Sequence, residues 1–220
     1  EYFTVMVDCI TDEGGMLDKF IGDAIMAVFG TPIPHEDDAD RAVRAAITMI
    51  RALRAFNAHR AEEGKKPVDI GIGLNSDTVV SGNIGSPKRM DYSVIGDTVN
   101  LASRLESATK QYGAKILISE FTRHALKGTY RMREVDKVVV KGKTKPVAVF
   151  EVLDFHDEAS FPRMMETLTD FAFGIESYRH ARFAEATQAF GKVLEVNPRD
   201  FCSRMRSEER RVGKECRSRW

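Results

Sequence analysis

Lys19-Phe20-Ile21-Gly22-Asp23-Ala24-Ile25-Met26-Ala27-Val28-Phe29 reads as two short strands folded back at Gly22-Asp23. Glycine takes positive φ without steric cost, and aspartate bonds nearby backbone N–H groups, so the pair is turn chemistry. The flanks are less ordinary. Ile21, Ile25, Val28 and Phe29 suit a buried sheet, yet Lys19 and Asp23 stand four residues apart within it. Across a tight turn both charges can face one side of a hairpin, and neither is cheap to desolvate unless something pairs with it. Taken alone, the stretch is read more simply as a surface hairpin with a solvated tip.

Working outward, Glu1 to Thr11 carries Tyr2, Phe3, Met6, Val7 and Ile10 at helical spacing, and Asp12-Glu13-Gly14-Gly15 stops it. The hairpin runs from about Met16 to Phe29. Asp37 and Asp38 open a long helix to about Arg60, with acids where the helix dipole is positive and one apolar stripe through Val43, Ile47, Ile50 and Leu53. Val68 to Leu74 alternates Ile70, Ile72 and Leu74 with glycines, which predicts a strand whose backbone is approached closely on one side. A strand at 78–84 is broken by Gly82 to Pro87, and a short strand at 92–95 leads through an Asp97 N-cap into a helix over 98–112, stopped by Gly113. A strand at 115–119 and a short helix at 120–126 follow. Strands at 130–140 and 146–153 are joined by Lys141-Gly142-Lys143-Thr144-Lys145. Hairpins mixed with crossovers imply an α+β fold, a mixed sheet with helices on one face, followed by a helical hairpin.

That hairpin comes after a linker over 154–166. Residues 167–205 hold helices at 168–179 and 183–196, in a Gly174…Tyr178…Phe183-x-Glu185-Ala186…Phe190…Leu194…Asn197-Pro198 pattern that matches one tetratricopeptide unit. One such unit cannot bury its faces alone, so it packs on the main domain, on a protein partner or on further repeats.

With 220 residues and 43% hydrophobic content, the chain suffices for one domain, 1–153, plus this appendage. It begins at Glu1 inside a helix, which reads as a cut. No apolar run approaches the roughly 20 residues of a membrane span, and no signal-peptide pattern is visible, so no membrane contact is expected from this portion. Arg206 to Trp220 (RSEERRVGKECRSRW) resembles the translated frame of a common sequencing adapter and is set aside. Without it the charge balance turns mildly acidic, which leaves no nucleic-acid footprint. The remaining cysteines, Cys9 and Cys202, have neither metal-site nor redox spacing and fit a reducing, cytoplasmic interior.

A second stretch carries chemistry: Asp91-Tyr92-Ser93-Val94-Ile95-Gly96-Asp97-Thr98-Val99-Asn100-Leu101-Ala102-Ser103-Arg104-Leu105-Glu106. Asn100 and Arg104 share a helix face. An amide and a guanidinium there suit a ribose and a phosphate oxygen, although an isolated pair is usually only a polar face. Lys-x-x-x-Asp at a hairpin, then Gly-Asp-Thr-Val-Asn-x-Ala-x-Arg-x-Glu, then Lys-Gly-Lys before a final strand, in that order, closely resemble the catalytic domain of class III nucleotide cyclases over Glu1 to Leu153.

That resemblance implies a ferredoxin-like cyclase fold of the bacterial Thr/Ser subgroup, a homodimer with shared sites, and conversion of ATP to 3′,5′-cyclic AMP and pyrophosphate. Asp23 resembles one of two aspartates that hold two Mg2+ or Mn2+ ions per site. Lys19 and Ser93 fall at the purine-selecting positions, lysine donating to adenine N1 and serine accepting from the 6-amino group; guanylate cyclases of the family carry Glu and Cys there. Asn100 would orient the ribose and Arg104 would offset charge on the α-phosphate. Lys141, ahead of Lys143, would bind the terminal phosphates. Nothing matches the family's first metal aspartate, since Asp8 and Asp12 fall in a helix and its cap, so the 220 residues alone are expected to turn over little ATP. In Asn75-Ser76-Asp77 the family usually has Gly third, which predicts strain if Asp77 takes positive φ. A guanylate cyclase and a non-catalytic nucleotide-binding regulatory module are the alternative readings.

Overall fold

The computed structural model describes residues 1–139 and 146–209. Helix α1 (Tyr2–Asp12) leads into strands β1 (Met16–Ile21) and β2 (Ala24–Val28), which pair antiparallel. Gly22 closes the turn at φ +63°, the left-handed conformation anticipated there. Helix α2 (Asp38–Glu62) follows, then β3 (Ile72–Leu74), β4 (Val80–Ser86) and β5 (Arg89–Ile95). Next come α3 (Asp97–Tyr112), β6 (Ile116–Ser119), α4 (Glu120–Ala125), β7 (Met132–Val138) and β8 (Val147–Val152). Helices α5 (Met164–Arg179), α6 (Phe183–Val196) and α7 (Phe201–Glu209) end the described chain.

The central sheet has the order β3-β6-β8-β7. The β3–β6 pair is parallel and the others are antiparallel, so the sheet is mixed, as the α+β reading requires. Its middle strands are apolar on both faces. Ile116, Ile118, Ala148, Phe150 and Val152 pack with Val43, Ala46, Ile47 and Ile50 of α2. Leu117, Val147 and Val149 point the other way, against Leu101 and Leu105 of α3 and Phe171 and Phe190 of the helical hairpin. The sheet is therefore covered on both faces rather than one, because β6 and β8 bury every residue instead of alternating.

Several boundaries differ from the sequence reading. Strands β4 and β5 form one continuous hairpin through Gly82 to Ser86, pairing Val80 with Ile95 and Ser86 with Arg89. The ladder tolerates the glycines because their N–H and C=O groups pair as any residue's do. Gly96, rather than Asp97, is the N-cap of α3, and Asp97 lies in the first turn. Asp77 has no positive φ, and its carboxylate accepts from Thr78 N at 2.8 Å, so the expected strain does not arise. Helix α5 begins at Met164, inside the expected linker.

The helical hairpin seats on the main domain. Phe171 and Phe190 meet edge-on at 5.6 Å, and Gly174 lies under the Phe190 ring. Helix α7 continues through the point where the sequence reading set the tail aside. There Arg206 is buried, donates to Val135 O at 2.8 Å and pairs with Asp136 at 2.8 Å.

Candidate nucleotide site

Strand β1 carries Lys19 with an irregularity. Leu17 stands opposite Ala27 and Lys19 opposite Met26, which leaves Asp18 as an extra residue, a β-bulge. Ala27 and Ile25 belong to the apolar cluster beneath α1 and α2, and Phe20, opposite Ile25, stacks on Phe3 of α1 at 4.5 Å. Leu17 and Phe20 thus share the helix-facing side, and the bulge puts Asp18 and Lys19 together on the other side. Lys19 keeps 49% side-chain exposure. Asp23, at the turn, is exposed.

Strand β5 touches β1, so the strands bearing Ser93 and Lys19 are neighbours within one protomer. Thr31, just after β2, and Tyr92 of β5 share a hydrogen bond between hydroxyls at 3.0 Å, a second tie between the two hairpins. Ser93 is 5% exposed and stands opposite Gly82.

Helix α3 follows β5 through Gly96. Asn100 is exposed and Arg104 half-buried on its surface, and neither has an ion pair or hydrogen-bond partner among the described residues. Two features hold α3. Asn75 Nδ2 donates to Thr98 O at 3.1 Å, while Asn75 Oδ1 accepts from Ser119 Oγ at 2.6 Å, which links the first turn of α3 to the end of β6. Gly73 lies against the α3 backbone, where a Cβ would collide with Ala102 O and Glu106 N. The glycine alternation therefore reports a real close approach, as its spacing predicted. Lys141 and Lys143 lie outside the described residues.

The structure thus brings Lys19 and Ser93 onto adjoining strands, with Asn100 and Arg104 one element further on, while Asp23 projects at the hairpin tip. Among the described residues no group of three or more His, Cys, Asp or Glu side chains is placed to hold a metal. Asp23 supplies one hard oxygen donor of the type Mg2+ or Mn2+ accepts, and that is one share of a coordination shell. The sequence reading did not single out the Asp18 bulge or the Asn75 bridge. The signal for the first was visible: successive charges, Asp18-Lys19, where a strand should alternate.

Away from this face, Arg133 is buried between two acids. Its Nε donates to Glu151 at 2.7 Å, and Nη1 and Nη2 donate to Asp200 at 2.8 and 2.7 Å. Burial raises the Asp200 carboxyl, but the Arg133 charge and bonds outweigh it and hold the group below the usual carboxylate range. Glu151 goes the other way: burial, reinforced by the Asp200 charge, prevails over Arg133 and pushes it up. This cluster clamps α7 to β7 and β8. His156 lies close by, its imidazole pushed down to about 4 by burial and then by the cations Arg54 and Arg133.

Comparison with known proteins agrees with this geometry. Residues 2–152 match the adenylate and guanylate cyclase catalytic domain model. The chain is 38% identical over 206 residues to the terminal-differentiation specific adenylate cyclase of Dictyostelium discoideum, covering 90% of this chain and 9% of that protein. It is 42% identical over 159 residues to an adenylate cyclase of Anabaena cylindrica, covering 69% of this chain and 31% of that protein. Among solved structures, the guanylyl cyclase Cya2 superimposes with a TM-score of 0.61 at 41% identity, over 69% of this chain and 76% of that one. The adenylyl cyclase CyaB from P. aeruginosa superimposes with 0.58 at 35% identity, over 70% and 79%. The chain thus spans less than a third of the length of these two curated relatives. With its mixed sheet, its two hairpins and α3 arranged as described, the chain belongs to the class III adenylate and guanylate cyclase catalytic domain family.

Proposed function

We propose that this domain is an adenylate cyclase that cyclises ATP at a site shared by two copies of the chain. The observation that carries the base assignment is the Asp18 bulge, which turns Lys19 away from α1 on the strand adjoining Ser93. An ammonium donates to adenine N1, and a hydroxyl accepts from the 6-amino group; guanine presents the reverse pattern. Asn100 orients the ribose. Arg104, half-buried and without an internal counter-charge among the described residues, offsets the charge that grows on the α-phosphate. The ribose 3′-oxygen forms a bond to the α-phosphorus, the bond from the α-phosphorus to the β-bridging oxygen breaks, pyrophosphate departs, and the hydroxyl proton is released. Positioning and charge neutralisation supply most of the acceleration. Asp23 would hold its share of two divalent ions, whose chemistry is to favour the 3′-alkoxide and the leaving pyrophosphate. Lys141 would meet the terminal phosphates.

Large apolar side chains support the dimer. Ile21 on β1 and Val80, Met90 and Ile95 on β4 and β5 are 58%, 72%, 59% and 58% exposed. Both hairpins present them, which is how a self-complementary interface reads in an isolated protomer. Residues 167–205 are read as a tetratricopeptide-like pair whose outer surface remains open to a protein partner.

The second reading is a guanylate cyclase, favoured by the likeness to Cya2. Nucleotide preference decides between them. The wild-type chain is expected to bind ATP more tightly than GTP, and Lys19→Glu combined with Ser93→Cys to reverse that order. A wild-type chain that prefers GTP overturns the adenylate assignment.

A further inference from the structure

Asp18 and Lys19 are consecutive, yet the bulge sends both side chains to the same face of β1. Their environments differ sharply: the Asp18 side chain is 0% exposed and that of Lys19 is 49% exposed. Neither Asp18 carboxylate oxygen has a hydrogen-bond partner among the described residues. The nearest cation is Lys19 itself, with Nζ 3.3 Å from Asp18 Oδ2. A buried carboxylate without hydrogen bonds is costly, and such groups in folded proteins call for a reason beyond stability. The family resemblance assigned this residue nothing.

We propose that Asp18 is a positioning residue for purine selection: its buried carboxylate holds the Lys19 ammonium in the orientation that reads the base. This rests on the adenylate reading above. The physical argument is one of preorganisation. A lysine stem has many rotamers, and an ammonium free to sample them is a poor reader of one ring nitrogen. A fixed anion at its foot confines it. The ammonium has three N–H donors, and an ion pair with Asp18 that no hydrogen bond accompanies leaves them for a ligand. The carboxylate gains its partner only because the bulge cancels the alternation that would otherwise separate neighbours. Asp18 therefore does two things: as the extra residue it aims Lys19 away from the helices, and as an anion it anchors the aimed group.

The test is competitive displacement of a fluorescent mant-ATP probe from the whole chain by ATP and by GTP. Wild type, Asp18→Asn, Lys19→Met and the double variant are compared, with thermal melts of each. Asp18→Asn keeps the shape and removes the charge. It is expected to weaken ATP about tenfold and GTP by less than about twofold, the loss of the ion pair that confines the Lys19 ammonium. In the Lys19→Met background the same change should leave the ATP:GTP ratio within about twofold, since no ammonium remains to position. In the melts, Asp18→Asn should raise the midpoint more in the Lys19→Met background, where the buried charge has lost its counter-ion, than in wild type. Asp18→Glu, which moves the anion one methylene outward, should give a ratio between wild type and Asp18→Asn, and it keeps the idea testable if the asparagine variant does not fold. Equal losses for ATP and GTP, or the same fall in ratio with and without Lys19, would show a merely structural role and overturn the proposal. If wild type prefers ATP and both Asp18 variants retain that preference, the Asp18 role fails alone. If wild type shows no ATP preference, the adenylate reading fails and takes this role with it.

Discussion

Removing Asp200 by Asp200→Ala tests whether the buried charge cluster is what clamps α7 to the sheet. Arg133 spans the contact, with Glu151 on β8 at 2.7 Å and Asp200, at the head of α7, at 2.7 and 2.8 Å. Ser203 Oγ also donates to Asp200 Oδ2, at 2.5 Å. All three ionic side chains are at most 5% exposed, so water cannot replace a lost partner. Deleting one member of a buried, hydrogen-bonded ion pair costs roughly 3–5 kcal/mol, because the survivor keeps its desolvation penalty. For a chain of this size each kcal/mol lowers the melting midpoint by about 2–4 °C, so the expected fall is roughly 6–20 °C. The contrast variant is Glu151→Gln. Its carboxyl is pushed up by burial and by Asp200, so the folded site stabilises this anion less than it does the Asp200 anion, and an amide oxygen still accepts from Arg133. Its expected change is smaller than that of Asp200→Ala, because the Arg133 donor keeps an acceptor. Melting of the two variants at neutral pH is the assay. Equal effects from the two acids, or less than about 1 kcal/mol from Asp200→Ala, would refute the clamp. The sign with pH follows from the lowered Asp200 carboxyl: its contribution is present above the ordinary carboxylate range and is lost as pH falls through its depressed folded value.

Other outcomes follow from the same geometry. His156 is pushed down to about 4, so the unfolded chain takes up a proton before the folded one does, and stability falls as pH drops from about 6.5 towards 4. Discounted for partial exposure, the loss is roughly 1–3 kcal/mol, and urea titrations of His156→Gln should show a flatter dependence over that window. Gly73→Ala drives a Cβ into the α3 backbone at Ala102 and Glu106, where no side chain can yield. It should cost about 1–3 kcal/mol or more by overpacking, and by shifting α3 it should weaken nucleotide binding beyond what the lower stability explains. With Asp23 as the carboxylate proposed to hold the divalent ions, and one carboxylate a poor anchor for two of them, the 220-residue chain with Mg2+ and ATP is expected to bind nucleotide while forming little cyclic AMP. Robust magnesium-dependent production by this chain would overturn that expectation.

Much of this protein is legible in its letters. The hairpin at Gly22-Asp23, the glycine alternation at Gly71 and Gly73, the stop at Gly113 and the order of the two long motifs depend on local conformational preference and spacing. Those are properties of short segments, and they hold wherever the segments pack. The glycines at Gly82 to Ser86 predict a break where β4 in fact pairs with β5, because glycines that weaken an isolated strand cost little once both sides of a ladder are satisfied. The cover on both sheet faces came from burial of every residue in β6 and β8, which periodicity cannot assign to a face.

What the tertiary structure alone decided is where charges meet. Arg133, Glu151 and Asp200 are distant in sequence, and nothing in their local context marks them as one buried cluster. Asp18 and Lys19 are adjacent, but only the register with β2 shows that they share a face. Hydrophobic pattern and turn chemistry are written residue by residue, whereas the pairing of ions depends on which strands and helices come together and in what register. That is set by packing of the whole chain, and so the family could be read from sequence while the meeting of Asp18 with Lys19 and the clamp on α7 could not.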